Sequence, residues 1–224
     1  KWKYECNFKV KSFSWFNMKI LIISPPRAGS TSLLDSISDL CNYESIFEPY
    51  INEMSQRTTD RKPYPFNVPD NSVVKMISYQ VPKNYGKPSN FLDFIVSVYR
   101  EYDKVILLNR RNEKEHFESY VNLIIKNKNP IKNSTRPWYY EDISDKLHLF
   151  DLNEIIPYRN VIDELSNKLS IPITYYEDLY GNDRLKSLEI IKKWKLDIDN
   201  GELNERLNPK FRYRQSKNKR RDLI

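Results

Sequence analysis

Short apolar runs alternate along this chain with stretches in which apolar residues recur every three or four positions. The apolar runs are typical of strands buried on both faces of a parallel sheet, and the spaced pattern is typical of amphipathic helices. Strands are predicted at 20–23, 44–47, 73–77, 104–108 and 171–176. Helices are predicted at 32–40, 91–102, 113–126, 153–169 and 184–194.

This alternation of strands and helices predicts an α/β fold. The architecture expected is a three-layer sandwich in which helices flank a central, mainly parallel sheet. Ligands of such sheets bind at the carboxyl ends of the strands. Two long segments, 51–71 and 127–150, interrupt the pattern and are expected to face a substrate. We expect one domain over 18–224, with an N-terminal extension at 1–17 and a basic C-terminal segment at 206–224.

A hydroxyl-rich turn follows the first predicted strand and leads into the first predicted helix. Residues 24–32 are Ser-Pro-Pro-Arg-Ala-Gly-Ser-Thr-Ser. The N-terminus of a helix offers unpaired N–H groups and partial positive charge to an anion. Gly29 allows a close approach, Ser30 and Thr31 add hydroxyl donors, and Arg27 adds a guanidinium. The alternative is a plain helix cap formed by Ser30 or Thr31.

The turn lacks the glycine-lysine pair of a Walker A loop and the further glycines of a Rossmann fingerprint. A second cationic turn, however, follows the strand predicted at 104–108. Arg111 lies eight residues before Ser119, a spacing that places both on one face of a helix and lets them clamp one phosphate. Arg110 is the competing candidate. A surface basic pair with an incidental serine is the alternative.

The run Arg27-Ala28-Gly29-Ser30-Thr31 resembles the 5′-phosphosulfate loop of sulfotransferases that use 3′-phosphoadenosine 5′-phosphosulfate (PAPS), in the arginine form of the carbohydrate-type members. The resemblance implies a P-loop NTPase-like sulfotransferase fold and PAPS as the donor co-substrate, without a metal. It places the 5′-phosphosulfate at these five residues. It places the 3′-phosphate at Arg111 and Ser119.

The resemblance also implies direct in-line transfer of the sulfuryl group to an acceptor hydroxyl, which requires a base. Glu48, in a Phe-Glu-Pro element, is similar to the catalytic glutamate of some carbohydrate-type members. It could instead be a solvent carboxylate or bind acceptor hydroxyls. Arg27 and Lys75 are the candidates for balancing charge on the leaving phosphate. Lys75 either faces a cleft or buries its stem and extends its amine to solvent.

Histidine is the base in the family's cytosolic members, but neither His116 nor His148 ends an apolar strand. His116 is expected on a helix surface; the alternative is that it faces the nucleotide, one turn before Ser119. The segment 206–224 holds eight Lys or Arg residues and one Asp. It is similar to the basic stretch that in the family folds over the adenosine. Arg214, Ser216 and Arg221 are the candidate contacts, and a basic tail that meets nucleic acid is the alternative.

Composition adds outer limits. Hydrophobic residues make up 39% of the 224 residues and aromatic residues 13%, too many for a disordered polymer. The net charge of +7 suits an anionic ligand. The two cysteines have no CxxC neighbour, no apolar run reaches membrane-spanning length, and a soluble cytoplasmic protein is expected.

The acceptor expected is a hydroxyl compound, such as a glycan or a small alcohol. Rival functions are a P-loop-type nucleotide kinase and a basic nucleic-acid-binding protein. The kinase would need magnesium and a lysine in the loop, and no such lysine is present at 24–32.

Overall fold

The computed structural model describes residues 17–49, 67–82, 88–128, 146–196 and 198–208. Five strands form one sheet in the order β2-β3-β1-β4-β5, and all four neighbouring pairs are parallel. The strands are β1 (Lys19–Ser24), β2 (Glu44–Phe47), β3 (Ser72–Ile77), β4 (Lys104–Asn109) and β5 (Ile173–Tyr175).

The chain builds outward from β1 on both sides, to β3 and β2 on one side and to β4 and β5 on the other. The crevice beside the carboxyl end of β1 is therefore a topological switch point, where α/β sheets place their ligands. The loops that follow β1 and β4 border this crevice.

Seven α-helices are described. They are α1 (Ser30–Cys41), α2 (Phe91–Val98), α3 (Glu113–Lys128), α4 (Ile156–Leu169), α5 (Tyr176–Tyr180), α6 (Arg184–Trp194) and α7 (Asn200–Arg206). Short 3₁₀ turns flank α2 at Pro88–Asn90 and Tyr99–Glu101, and two more, Leu147–Leu149 and Leu152–Glu154, come before α4.

Alternating side chains of the strands enter two separate cores. Ile20 and Ile22 pack with α1, α6 and α7, whereas Leu21 and Ile23 pack with α2 and α4. This division follows from the two-residue period of a strand. The predicted α/β fold, with helices on both faces of a parallel central sheet, is confirmed.

The described elements agree with the predicted order, with adjusted ends. The helix predicted at 91–102 ends earlier, and α4 begins three residues later than predicted. Helices α5 and α7 were not predicted, because five and seven residues are too short to display helical periodicity. Most of the two long segments, 50–66 and 129–145, lies outside the described residues.

Candidate active site

The turn after β1 leaves the N-terminus of α1 open. Gly29 is the N-cap residue, with φ of 84°, and among the described side chains none caps the helix. The first turn of α1 contains no acidic residue. Ser24 Oγ donates to Ser30 Oγ over 2.8 Å, which links the end of β1 to the start of α1. The backbone N–H groups of this turn can therefore receive an anion.

Gly29 is required at this position for two reasons. Its φ of 84° lies in the left-handed region. A Cβ there would also lie 2.7 Å from Tyr180 Cε2 and 2.9 Å from Tyr176 Cδ2. The Tyr180 hydroxyl donates to the Gly29 carbonyl over 2.7 Å. Helix α5 therefore packs against the loop and holds its backbone in place.

The loop is also held from the opposite side by His116 on α3. Its Nε2 lies 2.7 Å from the Pro26 carbonyl, and Arg159 Nη1 lies 3.5 Å from its Nδ1. A carbonyl accepts and a guanidinium donates, so the neutral Nε2–H tautomer satisfies both contacts. The expectation that His116 lies on a helix surface is wrong, because the side chain is fully buried.

Burial lowers the pKa of His116 to about 4, and the nearby Arg110 and Arg159 act in the same direction. The hydrogen bond to Pro26 and the charge of Glu177 oppose this shift. His116 is therefore neutral at neutral pH. Its contact with the Pro26 carbonyl ties the turn after β1 to α3.

Arg27 adopts a left-handed backbone conformation, with φ of 66°. Such a conformation costs a residue with a side chain about 1–3 kcal/mol, and it is typical of functional sites. The conformation turns the guanidinium toward α3, where Nε donates to Ser119 Oγ over 3.2 Å. The structure thus brings together the first predicted loop and the serine predicted for a second phosphate.

Glu48 and Lys75 meet at the ends of neighbouring strands. Phe47 lies opposite Lys75 in the β2–β3 register, and the Glu48 N–H donates to the Lys75 carbonyl over 2.9 Å. Glu48 then turns back with φ of 46°. Its Oε1 lies 2.5 Å from Lys75 Nζ. The carboxylate therefore ends beside the ammonium group instead of pointing away from the sheet.

The ammonium group of Lys75 connects the carboxylate to the loop. Lys75 is 3% exposed, and its Nζ also donates to Thr31 Oγ1 over 2.9 Å. The same Nζ lies 4.0 Å from the centroid of the Phe47 ring. Burial lowers the pKa of Lys75, and the charge and hydrogen bond of Glu48 oppose that shift. Of the two positions considered for Lys75, the structure shows the one in which its ammonium group faces a cleft and does not extend to solvent.

These groups share one cavity of about 510 Å³. Its basic lining residues are Arg27, Lys75 and Arg110, and its acidic ones are Asp35 and Glu48. The remaining described lining residues are Pro26, Gly29, Ser30, Thr31, Ser32, Phe47, Ile77, Ser119, Leu123 and Tyr176. Ala28 does not line it and is fully buried, packed in the core beneath the loop.

The second cationic turn differs from its predicted geometry. Helix α3 begins at Glu113, so Arg111 lies before the helix and does not share a helical face with Ser119. Arg111 pairs with Asp178 through both Nη atoms, and its guanidinium carbon lies 4.3 Å from the Tyr175 ring centroid. Its side chain is 49% exposed, and it is not among the described residues that line the cavity.

Arg110 occupies the cavity wall instead. It is 6% exposed, and its guanidinium carbon lies 4.3 Å from the Tyr176 ring centroid. Its buried Nε has no hydrogen-bond partner within the described part of the chain, and the Glu177 carboxylate lies 3.8 Å from it. Its Nη1 donates to the Glu115 carbonyl over 3.4 Å, and its Nη2 lies 3.7 Å from Glu115 Oε2. The carboxylate of Glu177 also accepts the N–H of Arg111 over 3.0 Å. Arg110 thus lines the cavity as a buried cation that lies near two carboxylates.

Three predicted contacts, Arg214, Ser216 and Arg221, lie outside the described residues. Conversely, sequence reasoning missed His116, Tyr176 and Tyr180 as parts of the site. The two tyrosines follow β5 in Tyr-Glu-Asp-Leu-Tyr, and the four-residue interval that aligns them is helical. Two tyrosines four residues apart at the carboxyl end of a strand were therefore the signal that could have identified them in the sequence.

No protein-family model matches the chain, and no curated protein matches it. Among solved structures, the chain is similar to the mouse sulfotransferase SULT7A1 complexed with PAP, with a TM-score of 0.48 and 18% sequence identity. The match covers 88% of this chain and 64% of the mouse protein. The chain therefore spans less than two thirds of the length of the mouse protein.

Among the described residues, no helix has the length and apolarity needed to cross a membrane. In the same residues, no group of three or more His, Cys, Asp or Glu side chains is arranged to hold a metal ion.

Proposed function

We propose that this protein is a sulfotransferase that moves the sulfuryl group of PAPS to a hydroxyl of an acceptor. One observation carries the proposal: an open, cationic anion-binding loop and a carboxylate–ammonium pair face the same cavity. The loop is suited to a phosphosulfate, and the carboxylate is suited to remove a proton from an attacking hydroxyl.

The donor's 5′-phosphosulfate is assigned to the turn that holds Arg27 and Thr31. Backbone N–H groups at the start of α1 and the Arg27 guanidinium would donate to its oxygens. Lys75 Nζ donates to Thr31 Oγ1, so its ammonium group is within reach of a ligand bound there. These fixed donors supply the electrostatic stabilisation that the reaction requires.

The 3′-phosphate is assigned to the part of the cavity beside Ser119. Arg111 is the residue that spacing predicts for this contact. The cavity favours Arg110, because Arg110 is among the described residues that line it, whereas Arg111 is not and pairs with Asp178 through both Nη atoms. We therefore assign Arg110 and Ser119 to this phosphate.

The transfer itself is a direct displacement. The acceptor oxygen bonds to sulfur as the bond between sulfur and the bridging phosphate oxygen breaks, and the acceptor proton passes to Glu48. The products are a sulfate ester and 3′,5′-adenosine diphosphate (PAP). Arg27 and Lys75 stabilise the negative charge that develops on the bridging oxygen. Lys75 is suited to this role because it lies between Glu48 and the loop.

The acceptor is a hydroxyl compound, for which we test glycans and small alcohols. Phe47, Ile77 and Leu123 give the described part of the cavity an apolar side. The segments 50–66 and 129–145, which were predicted to shape the acceptor pocket, lie outside the described residues.

The experiment has two arms. In the first, thermal unfolding of the protein is measured with PAP, with ATP-Mg²⁺ and with AMP, and PAP is expected to stabilise the folded protein most. A ligand present at 100 times its Kd stabilises the folded state by about 2.7 kcal/mol. Radiolabelled PAPS is then incubated with a panel of glycans and small alcohols, and a labelled product is expected. Stronger stabilisation by ATP-Mg²⁺ would favour the kinase alternative. PAP binding without any labelled product would contradict the transferase.

A further inference from the structure

The turn that follows β3 brings the side chain of Gln80 to Glu48. Gln80 Nε2 donates to Glu48 Oε2 over 3.0 Å, on the oxygen that Lys75 does not occupy. Gln80 is not among the described residues that line the cavity. It therefore contacts the carboxylate from the side that does not face the cavity, and its role toward a ligand is indirect.

The amide of Gln80 has one orientation that satisfies both of its neighbours. The Ile77 backbone N–H donates to the side-chain Oε1 of Gln80 over 3.0 Å, and the backbone N–H of Gln80 donates to the Ile77 carbonyl over 3.0 Å. A backbone N–H only donates and an ionised carboxylate only accepts. The amide oxygen must therefore face Ile77, and the amide nitrogen must face Glu48.

The turn itself is anchored to the rest of the fold. The Ser78 N–H donates to the Ser24 carbonyl over 2.9 Å, and Ser78 Oγ donates to the Tyr158 carbonyl over 3.0 Å. Tyr79 adopts a left-handed conformation, with φ of 70°, and its hydroxyl donates to the Pro157 carbonyl over 3.1 Å. The turn is thus held by several contacts with β1 and α4, and those made by the Ser78 N–H and the Tyr79 hydroxyl remain when the Ser78 hydroxyl is removed.

Two donors on different oxygens determine the plane of a carboxylate, whereas one donor leaves it free to rotate. Lys75 holds Oε1 of Glu48 and Gln80 holds Oε2. A carboxylate has about four lone-pair sites, so two of them remain for an acceptor hydroxyl. Their direction is set by the two donors together.

We infer that Gln80 is a positioning residue that orients the Glu48 carboxylate toward the acceptor hydroxyl. This inference rests on the proposed function, in which Glu48 is the base. Gln80 acts through Glu48, and its loss should slow the chemical step without weakening the binding of the donor.

The test compares Gln80→Met, which keeps the length of the side chain, with Ser78→Ala, which removes a hydrogen bond of the same turn without contacting Glu48. The acceptor is the best compound from the panel, and PAP is the binding probe. Because small misplacements of a reacting group reduce rates severely, Gln80→Met should lower kcat about 10-fold or more. In both variants the KM for PAPS and the Kd for PAP should stay within about twofold of the wild-type values, because neither change touches the anion loop. Ser78→Ala should also keep kcat within about threefold, because it leaves the hydrogen bond between Gln80 and Glu48 in place.

A double-mutant cycle separates positioning from a general structural effect. In the Glu48→Ala background, Gln80→Met should cause no further loss of the residual rate, because the group that it positions is gone. An equal loss in both backgrounds would overturn the inference. So would a Gln80→Met protein with wild-type kcat, or a Ser78→Ala protein as slow as Gln80→Met.

If the wild-type protein sulfates no acceptor, the proposed function fails, and the contact is tested without a reaction. The loss in Tm of the double variant should then be smaller than the sum of the losses caused by Gln80→Met and Glu48→Ala alone, since both substitutions remove the same hydrogen bond. Additive losses would overturn the claim that Gln80 holds Glu48.

Discussion

Lys75 Nζ lies 2.5 Å from Glu48 Oε1, at the ends of two adjacent parallel strands. Both side chains are nearly buried, so each depends on the other for its charge to be tolerated. The same ammonium group donates to Thr31 on the loop that follows β1. The pair therefore links the site proposed for the donor to the group proposed as the base.

Replacement of Glu48 should separate donor binding from transfer. Glu48→Ala and Glu48→Gln should both bind PAP, because the loop groups remain, and both should lose transfer activity. Loss of a general base typically reduces rates by about 10²–10⁴-fold. Glu48→Gln keeps an oxygen that accepts from Lys75 and controls for the unpaired ammonium left by Glu48→Ala. The measurements are PAP affinity and single-turnover transfer. Retention of most of the activity by either variant would contradict the assignment of the base.

The two neighbouring arginines should differ in their effect on PAP binding. Arg110→Ala should weaken it by about 10-fold or more, because hydrogen bonds to charged groups contribute about 1.5–3 kcal/mol. Arg111→Ala should weaken it less, since Arg111 is half-exposed and paired with Asp178. Isothermal titration with PAP gives both affinities. A larger loss in Arg111→Ala would restore the assignment made from its spacing to Ser119.

Gly29→Ala should destabilise the protein and weaken PAP binding together. The left-handed φ of 84° costs alanine about 1 kcal/mol or more, and the close approach of Tyr180 adds to that cost. Gly201→Ala is the control, since its added Cβ would meet the Asp199 side chain at 3.1 Å and its φ is not in the left-handed region. Urea denaturation gives the free energy of unfolding of each protein. Equal losses in the two variants would contradict the requirement for glycine in the loop.

Acid should weaken the fold through His116. Its pKa falls from 6.5 to about 4 on burial, so the unfolded chain binds a proton between these values and the folded protein does not. The free energy of unfolding should therefore decrease as the pH falls from about 6.5 to about 4, by up to about 3 kcal/mol from this residue, and change no further below that.

His116→Gln provides the matched control, because its amide can still donate to the Pro26 carbonyl but does not titrate. The difference between the unfolding free energies of the two proteins, measured by urea denaturation across this pH range, isolates the contribution of His116. A constant difference would contradict a buried neutral imidazole.

Much of the site could be predicted from local sequence. The apolar runs located all five strands, and the turn at 27–31 follows from the strand and helix that flank it. Glu48 was recognised because its Phe-Glu-Pro element resembles a segment of the carbohydrate-type sulfotransferases, and Lys75 because a lysine within an apolar strand is unusual. Their contact was not predicted, because it depends on β2 lying next to β3 in one particular register.

The residues that sequence analysis missed share a physical cause. His116 contacts Pro26 from 90 positions away, Tyr180 contacts Gly29 from 151 positions away, and the order of the strands decides both contacts. The choice between Arg110 and Arg111 depends on where α3 begins and on the packing of Tyr176 and Asp178, which are more than 60 positions away in the chain. Hydrophobic periodicity and turn chemistry are local, so the sequence by itself determined the positions of the strands and of the longer helices, and the chemistry of the turns that follow β1 and β4. Contacts between distant segments come from packing, so only the tertiary structure decided which side chains meet around the cavity.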